Sequence, residues 1–99
     1  MTDYEIYENS FIFTLFKITP SLRCLYMNIK REPRKIVALY AFFEIDPSGI
    51  ELELIDDIGS AIIGMTDEIF DLELNIIVDK SSFNAIKRDD FLLYARYEE

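Results

Sequence analysis

Histidine is absent from the sequence, and Cys24 is its only cysteine. The first absence removes the most common general acid or base near neutral pH. The second leaves no internal disulfide and fits a reducing compartment. The three glycines do not cluster, so there is no glycine-rich phosphate loop. No run reaches the roughly 18 uncharged apolar residues of a spanning helix. The start, Met1-Thr2-Asp3-Tyr4-Glu5, is acidic where a signal peptide is basic. These absences point to a cytoplasmic protein that is not an enzyme and needs no cofactor.

A further absence is of one sign of charge. No lysine or arginine lies between Ile36 and Asp79, yet that stretch carries eleven carboxylates: Glu44, Asp46, Glu51, Glu53, Asp56, Asp57, Asp67, Glu68, Asp71, Glu73 and Asp79. A field of one sign over a small domain repels itself and attracts cations or basic partners. The net charge of −9 argues against nucleic acid and against an anionic membrane surface. Solubility alone is the plain explanation of such a run. The lack of any interspersed lysine favours a basic protein partner.

What is present is enough for a core. The chain has 99 residues, 51% of them hydrophobic, with eight Phe and six Tyr. That composition predicts one folded domain over 1–99, too apolar for a disordered tail. Tyr7, Phe11, Leu15 and Ile18, with Ile12 and Phe16 beside them, predict a helix from Glu5 to Lys17, ended by Pro20. From Leu22 the period changes to two. Cys24, Tyr26 and Asn28 alternate with Leu25, Met27 and Ile29. Lys30-Arg31-Glu32-Pro33-Arg34 reads as a basic turn, and Ile36–Phe43 as a strand apolar on both faces.

Asp46-Pro47 predicts the start of a second helix, Asp as the cap and Pro at the first position. Leu54, Ile55, Ile58, Ala61 and Ile62 form its apolar face and Gly64 its end, while Glu53, Asp56, Asp57 and Ser60 lie opposite. A third strand, Phe70–Ile76, sets Phe70, Leu72, Leu74 and Ile76 against Asp71, Glu73 and Asn75. Asp79–Asp90 reads as a polar connection. The last strand, Phe91–Tyr97, alternates Phe91, Leu93, Ala95 and Tyr97 with Leu92, Tyr94 and Arg96. The expected fold class is α+β: αββαββ, a four-stranded antiparallel sheet with two helices packed on one face. Phe11, Leu15, Leu25, Leu39, Leu54, Ile58 and Leu93 are its expected core.

Candidate chemistry is sparse. Asp56 and Asp57 are consecutive on a helix, about 100° apart, and so do not converge on a metal or a glycoside. Cys24 sits in a strand with no base nearby in sequence and reads as a small buried hydrophobe. Arg23, a charge inside a strand, reads as a fold-supporting ion pair with Glu44 or a helix C-terminus. Lys30, Arg31, Arg34 and Lys35 lack the interleaved aromatics of a nucleic-acid patch and read as balance for the acidic middle.

Three segments carry a resemblance: Pro20-Ser21-Leu22-Arg23, Phe43-Glu44-Ile45-Asp46-Pro47-Ser48 and Tyr94-Ala95-Arg96-Tyr97-Glu98. In this order the chain resembles small acidic bacterial immunity proteins of polymorphic-toxin and contact-dependent growth-inhibition systems. The resemblance implies an inhibitor that binds a cognate toxin domain, with an RNase the leading candidate. An acidic inhibitor covers the basic surface on which a nuclease holds phosphates. The expected partner-binding residues are Glu53, Asp56 and Asp57 on the second helix, Asp67 and Glu68 in the loop, and Asp71 and Glu73 on the third strand. The rival expectation is a self-assembling structural or regulatory module, a homodimer built on a sheet face bearing Tyr26, Tyr40 and Tyr94.

Overall fold

A computed structural model of the chain describes residues 2–14, 21–78 and 91–95. Helix α1 spans Asp3–Ser10 and tightens into a 3-10 turn over Phe11–Thr14. Strands β1 (Leu22–Lys30) and β2 (Ile36–Phe43) follow, then α2 (Gly49–Met65), β3 (Asp71–Val78) and β4 (Phe91–Ala95). The strands form one sheet in the order β3-β2-β1-β4.

The fold is α+β, but its sheet is mixed, which corrects the antiparallel expectation. β1 pairs antiparallel with β2 and with β4, whereas β3 runs parallel to β2. The reason lies in the connection. A tight turn reverses a chain, but a crossover helix carries it back to where the previous strand began. The seventeen residues of α2 do this between β2 and β3.

Both helices pack on one sheet face. Ile6 from α1 and Ile55, Ile58 and Ile62 from α2 share a buried cluster with Leu25, Met27, Val37, Leu39, Ala41, Phe43 and Leu93. Burying one large aliphatic side chain in such a cluster contributes roughly 1.5–3 kcal/mol. At Arg23 β1 bulges, since Leu22 pairs with Phe43 and Cys24 with Phe42. The extra residue switches the alternation. Leu22 joins the helix-side core, and Cys24 joins Tyr26 and Phe42 in a second buried cluster on the far face.

Local signals refine the expected boundaries. α1 starts at the Thr2 cap, with Glu5 closing a capping box. Its buried stripe is Ile6, Ser10 and Thr14, while Phe11, expected in the core, is 40% exposed. Ser10 Oγ donates to the Ile6 carbonyl and Thr14 Oγ1 to that of Phe11. With their donors satisfied, these small hydroxyls can be buried where a larger side chain would hold the helix off the sheet. Leu15, Phe16 and Ile18 lie outside the described residues, as do the 79–90 connection, Arg96 and Tyr97.

Two more expectations change. The cap of α2 is Ser48, not Asp46: Ser48 Oγ accepts from the Glu51 amide, and Glu51 Oε1 accepts from the Ser48 amide. This reciprocal pair satisfies two amides that Asp46 leaves unmet. Glu51 Oε2 also accepts from Ser21 Oγ, which ties α2 to the start of β1. The tyrosine face is not an open surface. Tyr26 is only 6% exposed, and Tyr94 packs against the helix-side cluster. A register shift in the β1–β4 pairing turns Tyr94 to that side, opposite Leu25.

Candidate functional site

The seven carboxylates singled out in the sequence fall in three places. Glu53, Asp56 and Asp57 form an exposed stripe along the outer side of α2, at spacings of three and four residues. The opposite side of α2 packs on the sheet through Ile55, Ile58, Gly59 and Ile62. Like charges at these spacings destabilise a helix by about 0.2–0.5 kcal/mol per pair. Among the described residues neither Glu53 nor Asp56 is in an ion pair that would offset this.

Asp67 and Glu68 lie at the other end of α2, in the connection to β3. Asp67 is exposed, while Glu68 is drawn into a cluster with the basic hairpin tip between β1 and β2. Arg31 Nη1 reaches Glu68 Oε1 at 2.6 Å and Oε2 at 2.7 Å. Its Nε donates to Asp3 Oδ1 at 3.0 Å, and its Nη2 lies 2.8 Å from the same oxygen. Lys35 Nζ adds a bond to Glu68 Oε1 at 2.9 Å. The guanidinium stands 5.4 Å from the centre of the Phe70 ring, within cation–π range.

One arginine thus links the first turn of α1, the hairpin tip and the α2–β3 connection. The hydrogen bonds from Arg31 and then Lys35 lower the Glu68 carboxyl from its ordinary 4.5 to about 2. The bonds that Arg31 donates to Glu68 and then to Asp3 raise Arg31 above its ordinary value.

Asp71 and Glu73 sit on β3 and face away from α2. Leu72 between them points to α2, against Gly59, and successive side chains of a strand alternate faces. Asp71 is paired with Arg34, and its amide donates to the Lys35 carbonyl at 2.9 Å. Glu73 is exposed. The expected continuous acidic field is therefore divided. Glu68 and Asp71 are engaged by the chain's own basic tip, and Glu73 lies on the far side of the edge strand from the α2 stripe.

The sequence reading named the right charges at the tip but not their partners. Arg31 and Glu68 are 37 positions apart, and only the parallel placement of β3 beside β2 joins them. Glu51, omitted from the expected site, is structural, and the Ser48-x-x-Glu51 spacing was the signal for it. Cys24 is buried and in no disulfide, and Arg23 is buried at the bulge. No group of three acidic or thiol side chains suited to a metal occurs among the described residues. No described helix is long and apolar enough to cross a membrane. Comparison with protein-family models and with curated proteins gave no match.

Proposed function

We propose that the chain is a non-catalytic binding protein whose α2 stripe, Glu53, Asp56 and Asp57, docks on a basic protein domain. Asp67 extends the stripe toward the end of the helix. The observation that carries this reading is the uneven use of charge. Arg31, Arg34 and Lys35 are spent on Asp3, Glu68 and Asp71, while Glu53, Asp56 and Asp57 are exposed at like-charge spacings, Glu53 and Asp56 in no ion pair among the described residues. A basic partner relieves that repulsion, and opposite fields speed encounter.

The class that fits is the small acidic immunity protein, resident in the cytoplasm, with a toxin domain as partner. An RNase is the preferred toxin, since carboxylates at helical spacing can take the places of phosphates on its substrate-binding surface.

The test is to tag the chain in its native host and identify what it retains at low and high salt. The expected result is a basic toxin fragment whose retention weakens as salt screens the field. Glu53→Lys, Asp56→Lys and Asp57→Lys together should then weaken binding at least about tenfold, as expected for desolvated opposite charges. Unchanged affinity in the triple variant would remove α2 from the interface.

A further inference from the structure

The two edges of the sheet are built differently. Over its described residues, Phe91–Ala95, β4 shifts register in its pairing with β1, which blunts an edge. β3 is protected only by Asp71 and Glu73 near its start. It runs eight residues in unbroken register with β2, from Ile36 opposite Asp71 to Phe43 opposite Val78. It contains no lysine, arginine, proline or glycine. Along its helix side Leu74, Ile76 and Val78 are 36%, 36% and 43% exposed. No described strand pairs with its outer side, and a regular, partly apolar edge strand offers its outer row of amides and carbonyls to another strand.

We infer that β3 pairs antiparallel with β3 of a second copy, joining two sheets into one across a two-fold axis at Leu74. The order of residues along β3 carries this choice of occupant. Antiparallel pairing about Leu74 sets Leu74 opposite its own symmetry mate and Leu72 opposite Ile76, all on the helix side. On the far side it sets Asp71 opposite Ile77 and Glu73 opposite Asn75, whose amide is a donor to a carboxylate. No acid of β3 stands directly opposite an acid, because both carboxylates lie in the first half of the strand and the last three residues are apolar; only the two Glu73 are diagonal neighbours across the axis. Parallel pairing in register would instead set each acid beside its copy, at a cost. The same surface on both partners is what a closed dimer requires.

The inference is independent of any cationic partner and has the opposite signature in salt. Each copy carries −9, so the two repel at long range, and the dimer must strengthen as salt screens that repulsion.

The experiment is sedimentation of the pure protein from micromolar to near-millimolar concentration, at low and high salt, with three single variants. The wild type should dimerise more strongly at high salt. Leu74→Lys and Ile76→Lys should remain monomeric although they reduce the net charge, and Ile50→Lys, exposed in the first turn of α2, should still dimerise. A wild type monomeric throughout, a dimer that salt dissolves, or a dimer that survives both strand substitutions would overturn the inference. Amide exchange of the wild type serves if a variant fails to fold: β3 amides should slow as protein concentration rises, and unchanged rates would count against the pairing.

Discussion

Arg31 holds both carboxylate oxygens of Glu68 through a single nitrogen, at 2.6 and 2.7 Å, while the rest of its guanidinium reaches Asp3. Such a pair links stability to pH. The folded carboxyl titrates at about 2 against an ordinary 4.5. A lowered carboxylate contributes stability that is complete above its ordinary value and is lost as pH falls toward the folded value. Wild type should therefore exceed Glu68→Gln in stability at neutral pH. The difference should shrink between pH 4.5 and about 2, as read from urea unfolding at each pH. Parallel curves over that window would show that the contact carries no linkage.

At Gly59 α2 packs directly against the sheet. A Cβ there would fall 2.6 and 2.8 Å from the two terminal carbons of Leu72 and 3.3 Å from one of Leu39. Alanine brings about 1 kcal/mol of helix propensity, against about 1–3 kcal/mol for overpacking. Gly59→Ala should therefore lower stability by up to about 2 kcal/mol. Leu72→Ala should be milder in that background than in the wild type, because the two changes share one space. A Gly59→Ala protein more stable than the wild type would show that Leu72 moves aside freely.

Ser48 and Asp46 are competing caps for the same helix. Ser48→Ala removes the acceptor used by the Glu51 amide and should cost about 1 kcal/mol. Asp46→Ala, three residues before the helix begins, should be nearly neutral. Thermal unfolding of the two variants decides between them, and a larger loss for Asp46→Ala would restore the earlier boundary.

Much of the fold is legible in the sequence where burial enforces a period. Alternation over Leu25–Ile29 and the apolar run Ile36–Phe43 mark the two central strands, because both lie inside the sheet. Ile55, Ile58 and Ile62 mark the buried side of α2 for the same reason. Hydropathy fails for α1 and the 3-10 turn after it, whose buried positions include Ser10 and Thr14, hydroxyls that bond to carbonyls one turn back. Strand direction was hidden too. Alternation shows which side of β3 is apolar, but only the length of the preceding crossover decides which way it runs. The acidic stripe of α2 was readable because helix geometry is local. The neutralisation of Glu68 and Asp71 was not, since their partners come from a turn far away in the chain.

The strand order has a consequence for assembly. The central strands β1 and β2 are joined by a short turn and can meet early, whereas β3 must await α2, and β4 returns to β1 from the far end of the chain. Local contacts form before distant ones because closing a long loop costs more entropy. The sheet therefore grows outward from its middle, and its edges are the last to zip and the first to fray. Arg31 and Arg34 lie in the turn between the central strands and hold Glu68 and Asp71, just before and at the start of β3. The hairpin tip thus latches the incoming end of the edge strand to the centre of the sheet.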